Sequence, residues 1–183
     1  MRKFFKILLK LLGWTSVNGV MPDKKAIIIA VPHTSAWDFV YAYLYYMSVG
    51  GTVHIIIKKQ FFFWPLGFFL KKFGAIPIDR SHGTPVVRQI IDTINKSDTF
   101  HLAIAPEGTR KRTTRWKGGF HTIAKATGAT VYMGFLDYSK KRIGWEKTLP
   151  LAETSRESIK RAKEYYRTLD VKGKYPDQYT AEE

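Results

Sequence analysis

Five short runs of mostly β-branched and apolar residues, at 26–31, 52–57, 75–78, 100–105 and 130–135, dominate what this chain can fold into. Runs of this length and character fit strands covered on both faces. Helical patterning fills the segments between them, at 36–49, 61–73, 85–95 and 119–127. Thr84-Pro85 reads as the start of the third helix, with threonine as cap and proline in the first turn. Alternation of this kind predicts an α/β fold: a mostly parallel central sheet flanked by helices. The basic stretch 137–149 has room for a further strand or hairpin. Residues 154–169 read as a charged amphipathic helix that buries Ile159, Ala162, Tyr166 and Leu169. No repeat, low-complexity stretch or linker divides the 183 residues. The expected organisation is an amphipathic helix at 1–14, one domain over 15–171, and a polar, frayed tail at 172–183.

Charge narrows the partners. Lysine and arginine number 30 against 15 acidic residues, a net charge of +15. A field of this sign attracts nucleic acid, anionic lipid or an acidic protein. The N-terminal segment favours lipid. Arg2, Lys3, Lys6 and Lys10 gather on one helical face, while Phe4, Phe5, Ile7, Leu8, Leu9 and Leu12 fill the rest and Gly13 ends the helix. The segment is too short to span a bilayer, and its pattern is that of a helix lying in the interface. Docking on the protein's own core is the alternative. Lys10 interrupts the apolar stretch and no small-residue cleavage site follows, so it does not read as a signal peptide. A second apolar patch, at 61–70, is bracketed by Lys58, Lys59, Lys71 and Lys72. It suits a headgroup boundary, a buried helix, or a groove for an acyl chain. The absence of cysteine removes disulfides and thiolate chemistry and is compatible with a reducing compartment.

Two signatures carry chemistry. In His33-Thr-Ser-Ala-Trp-Asp38 the histidine follows a strand, where parallel sheets gather their ligand sites. Five residues do not align two side chains on one helix. His33 therefore belongs to the loop and Asp38 to the first helical turn, from which the carboxylate can orient the imidazole as a base. The plainer reading is a capping box, with Ser35 as cap and Asp38 at the third position; the two readings are compatible. In Ala105-Pro-Glu-Gly-Thr-Arg110, Gly108 permits a tight turn. Arg110, Lys111, Arg112, Arg115 and Lys117 follow with no acid among them, a composition suited to phosphate. Solvation of the cations, and an ion pair between Glu107 and one of the arginines, are the alternatives. His54, His82, His101 and His121 lack metal-ligand spacing, and no nucleotide loop or Gly-x-Ser-x-Gly elbow occurs.

With Gly74-Ala-Ile-Pro-Ile-Asp-Arg80 between them, these signatures resemble the ordered motifs of the glycerolipid (lysophospholipid) acyltransferases, which include 1-acyl-glycerol-3-phosphate acyltransferases. Lys117-Gly-Gly-Phe120 resembles the segment that often follows in that family, and the likeness spans about residues 26–136. The resemblance implies His33 as base with Asp38 as its partner. It implies Arg80 on the acceptor's phosphate, and Glu107, Gly108, Thr109, Arg110 and Lys117 around the acceptor. The acyl donor is then a thioester of coenzyme A or acyl carrier protein, a co-substrate, with no cofactor or metal. The implied setting is peripheral or monotopic, on the cytoplasmic face of an anionic membrane. The chain departs from the family pattern at Pro32, where asparagine often stands, at Ala105 in place of phenylalanine, and at 129–134, which lacks the usual proline. A lyso-form of an amino-acid lipid is a rival acceptor. A basic RNA-binding module is the rival from another class, supported by charge and aromatic content alone.

Overall fold

The structure, a computed structural model, describes residues 2–78 and 86–182. Seven strands form one sheet: β1 (Thr15–Val17), β2 (Lys25–Val31), β3 (His54–Lys58), β4 (Ala75–Ile78), β5 (Phe100–Ile104), β6 (Thr130–Asp137) and β7 (Arg142–Thr148). Their spatial order is β1-β7-β6-β2-β5-β3-β4. Strands β6, β2, β5, β3 and β4 run parallel, and β7 is antiparallel to β6. The expected mostly parallel α/β sheet is therefore present, with 137–149 resolved as the return arm of a hairpin. Strand β1 has no counterpart in the sequence reading. Its three residues are too short and too polar to signal a strand, and it exists because it pairs with β7.

The helices are α1 (Arg2–Leu11), α2 (Trp37–Val49), α3 (Leu66–Lys72), α4 (Val86–Asn95), α5 (Gly119–Thr127) and α6 (Ser155–Leu169). The expected start of α4 at Thr84-Pro85 lies outside the described residues. Each side of the sheet has its own core. On one side Ile27, Ile29, Val31, Leu102, Val131 and Met133 pack against α4, α5 and α6. On the other, Ala26, Ile28 and Tyr132 pack under α1 and α2. This two-sided burial is what the near-continuous apolar strands encode. Helix α6 starts at a capping box in which the Thr154 hydroxyl and the Glu157 side chain satisfy each other's backbone N–H groups. Ser158, Ala162 and Tyr166 are fully covered, whereas Ile159 and Leu169 are half-buried.

The N-terminal helix docks on the protein along one face and leaves apolar residues exposed on another. Leu9 is buried against α2, while Phe4, Ile7 and Leu11 are 63%, 59% and 80% exposed. Arg2 reaches the Ser48 carbonyl at the far end of α2, and Trp14 packs on Tyr41 near its start, so α1 runs antiparallel along α2. The patch at 61–70 is not a buried helix. Only Leu66–Lys72 is α-helical, and Phe61, Phe63, Trp64, Phe68 and Phe69 are all exposed. Among the described residues no helix is long and apolar enough to cross a membrane.

The tail corrects the expectation of fraying. Gly173, Thr180 and Ala181 are buried. The Lys163 ammonium donates to the carbonyls of Thr114 (2.6 Å) and Glu182 (2.7 Å), which ties the last residues to α6. Backbone hydrogen bonds and a buried lysine hold this segment, so its polar composition concealed its order.

Candidate active site

Strand β2 ends in a cis Val31–Pro32 bond, and the loop that follows turns back over the first turn of α2. Asp38, the second residue of that helix, is buried. Its Oδ2 accepts from the backbone N–H groups of Thr34 (2.8 Å) and Ser35 (2.9 Å) and meets His33 Nδ1 at 3.1 Å. The Ser35 hydroxyl accepts in turn from Trp37 N–H at 3.2 Å. The N-cap of α2 is Ala36, which makes no side-chain capping bond, so the helix does not start at the expected Ser35 cap; the hydrogen bonds of the turn before it nonetheless fix the Asp38 carboxylate beneath the ring. A carboxylate only accepts, so Nδ1 carries the hydrogen and Nε2 is the basic nitrogen. The His33 side chain is 32% exposed, at the carboxyl end of the sheet. Among the described residues nothing pairs with its Nε2.

Glu107 approaches from the end of β5, the strand beside β2. Its Oε2 accepts from the His33 backbone N–H at 2.9 Å, so one carboxylate holds the ring of His33 and another holds its main chain. Glu107 Oε1 is buried with no partner among the described residues. Burial pushes this carboxyl up to about 7; the His33 N–H and charge oppose the shift, and the Asp38 charge adds to it. Among the described residues no arginine pairs with Glu107, so the ion-pair alternative is not what is found. Gly108 turns the chain with φ +64°, and a Cβ there would meet Lys117 Nζ at 2.8 Å. The backbone conformation is what calls for glycine here; the exposed Lys117 side chain folded over it is free to move aside.

Beside the dyad lies an open cleft of about 510 Å³, lined by Thr34, Ser35, Ala36, Thr109, Arg110, Lys111, Tyr175 and Gln178. The structure thus brings together His33, Asp38, Glu107, Gly108, Thr109, Arg110 and Lys117. Arg110 and Lys117 are exposed. Arg112, also exposed, pairs with Glu182 at 3.6 Å. Arg80 lies outside the described residues. His54, His101 and His121 serve the fold, each hydrogen-bonded to a carbonyl or hydroxyl within it.

Three residues at the site escaped the sequence reading. Tyr138, just past β6, donates to Asp38 Oδ1 at 2.8 Å and packs edge-on against Trp14 and Tyr41. Burial first, then the Asp38 carboxylate, raises the Tyr138 phenol far above its ordinary range. Its position one residue past a parallel strand was a usable signal, but only once β6 is known to neighbour β2. Tyr175 and Gln178 come from the tail, and nothing in their local pattern marks them.

A parallel α/β sheet that gathers a histidine–aspartate pair, a buried glutamate and a cationic loop at its carboxyl edge is of the class that binds and transforms ligands at that edge. A protein-family model described as Acyltransferase matches residues 16–133, and the chain belongs to the acyltransferase family. Among solved structures it is similar to the 1-acyl-sn-glycerophosphate (LPA) acyltransferase PlsC of Thermotoga maritima, with 16% identity and a TM-score of 0.62 over 95% of this chain and 80% of that one. At this identity the likeness is one of fold. No curated protein matches the chain.

Proposed function

We propose that this acyltransferase works at a membrane surface, moving a fatty acyl group from a thioester donor to the hydroxyl of a lysophospholipid such as 1-acyl-glycerol-3-phosphate. The observation that carries the reading is the His33–Asp38 contact of 3.1 Å at the mouth of the sheet, next to a cleft edged by Arg110 and Lys111. His33 Nε2 takes the proton of the acceptor hydroxyl as its oxygen attacks the thioester carbonyl. Asp38 supports the imidazolium that forms. The tetrahedral oxyanion collapses with cleavage of the carbon–sulfur bond, and the thiolate leaves on coenzyme A or acyl carrier protein and receives a proton. No acyl-enzyme is needed. Arg110 and its cationic neighbours hold the anionic headgroup, with Arg80 in the phosphate-binding role that the motif implies.

Membrane contact is supported by the exposed apolar residues of α1 and of 61–69, both interleaved with or flanked by lysines. The test offers mixed lysolipids and an acyl thioester and identifies the products by mass spectrometry. Acylation of a phosphate-bearing lysolipid by the parent protein is expected, and its loss in His33→Ala and Asp38→Asn. Full activity in either folded variant removes the proposed base. Thiol release that does not depend on acceptor indicates a hydrolase instead.

A further inference from the structure

The tail is placed where no part of the proposed chemistry has used it. After α6, Lys172 N–H donates to Asp137 Oδ1 at the carboxyl end of β6, and Tyr138 N–H donates to the Lys172 carbonyl at 2.9 Å. The chain then crosses the mouth of the sheet. Gly173 lies so close to Thr34 that a Cβ there would meet Thr34 Oγ1 at 2.5 Å and Cγ2 at 2.6 Å. Thr34 is itself 2% exposed and short, so it has nowhere to retreat. Tyr175 N–H donates to Thr34 Oγ1 at 3.3 Å. The end of the Gln178 amide faces the Thr34 carbonyl at 3.3 Å and the Arg110 carbonyl at 2.6 Å; two acceptors there assign the NH₂ to that side, as donor to both. Tyr179 follows with its hydroxyl buried and close enough to feel the Glu107 charge.

Thr34 belongs to the loop that carries His33, and Arg110 to the loop after Glu107. Gln178 therefore bridges the two loops that carry the proposed base and the proposed headgroup contact. Both Tyr175 and Gln178 line the cleft between them. Building on the proposed reaction, we infer that residues 173–179 form a strap that makes the third wall of the acceptor cleft. In it Gln178 is a positioning residue that sets the gap between Thr34 and Arg110, and Tyr175 is a wall that selects the acceptor headgroup. The side-chain amide suits the task because one NH₂ offers two donors to two carbonyls that face each other across the gap.

The test uses Gln178→Met and Tyr175→Ala. Gln178 and Tyr175 are both exposed, so neither change removes core, and unaltered thermal unfolding checks this. Methionine keeps the length of glutamine and removes both donors. A space-filling role survives that change, and a bridging role does not. In Gln178→Met the KM for 1-acyl-glycerol-3-phosphate is expected to rise by about tenfold, as for the loss of a hydrogen-bonded contact. The KM for acyl-coenzyme A stays put and kcat changes little. Tyr175→Ala should alter the ranking of lysolipid headgroups. Backbone hydrogen exchange, read without substrate, should quicken across 108–117 in Gln178→Met. Unchanged exchange and unchanged acceptor KM in that variant overturn the strap. Failure of the parent protein to acylate any lysolipid counts against the proposed reaction, and the exchange measurement then decides the bridge by itself.

Discussion

Replacing Glu107 by glutamine should change how the protein's stability depends on pH. The carboxyl is 6% exposed, with one oxygen on the His33 N–H and the other with no partner among the described residues. Burial raises it from 4.5 to about 7. A carboxyl so raised binds its proton more tightly in the folded protein than in the unfolded chain. Its stabilising effect is complete below the unfolded value and is lost as pH rises through the folded one. Two and a half units at about 1.4 kcal/mol each place the loss at about 3 kcal/mol between about pH 4 and about pH 8. Other carboxylates titrate in the same window, so the informative quantity is the difference between parent and Glu107→Gln. Glutamine keeps an acceptor for His33 N–H and cannot ionise. Urea unfolding at several pH values should show the parent losing about 3 kcal/mol relative to the variant as pH rises, most of it between about 4.5 and 7. Parallel curves for the two proteins would refute the reasoning, because Glu107 would then titrate as an ordinary exposed acid.

Three further outcomes are expected. Tyr138→Phe removes the hydroxyl that donates to Asp38 Oδ1 and keeps the ring packed on Trp14 and Tyr41; kcat should fall by about tenfold with thermal unfolding little changed. An unchanged kcat assigns Tyr138 to packing alone. Leu9→Ala empties the seat of α1 and should cost about 2–4 kcal/mol in urea unfolding; a loss well under 1 kcal/mol would mean that α1 is not anchored there. Trp64→Ser with Phe68→Ser, at sites 87% and 64% exposed, should leave thermal unfolding unchanged and weaken sedimentation with anionic vesicles. Vesicle binding at the parent level would take this patch out of the membrane contact.

The chain announced its sheet through residues such as Ile27–Ile29 and Val131, whose burial on both faces leaves a continuous apolar trace. Its motifs put His33, Asp38 and Glu107 just past strand ends, and the structure brings the three together there. What the chain did not disclose depends on neighbours in space. Tyr138 matters only because β6 lies beside β2, and strand order is not written in local pattern. Thr15–Val17 becomes a strand only on finding β7. The segment 173–182 is held by carbonyls, a close Gly173–Thr34 approach and the buried Lys163, none of which leaves a hydrophobic signature. At 61–70, a run of aromatics reads equally as core or as surface until the protein's outline is known.

The antiparallel pairing of β7 with β6 has a topological consequence. Because β7 descends where β6 climbs, the chain reaches residue 149 at the base, hydrogen-bonded to Val131 near the start of β6. Helix α6, 15 residues and about 22 Å long, then makes the return ascent. The number of crossings is thus the parity that brings residues 173–179 out over the cleft beside His33. One traversal more or fewer would leave that segment on the opposite side of the protein, however well its residues were chosen.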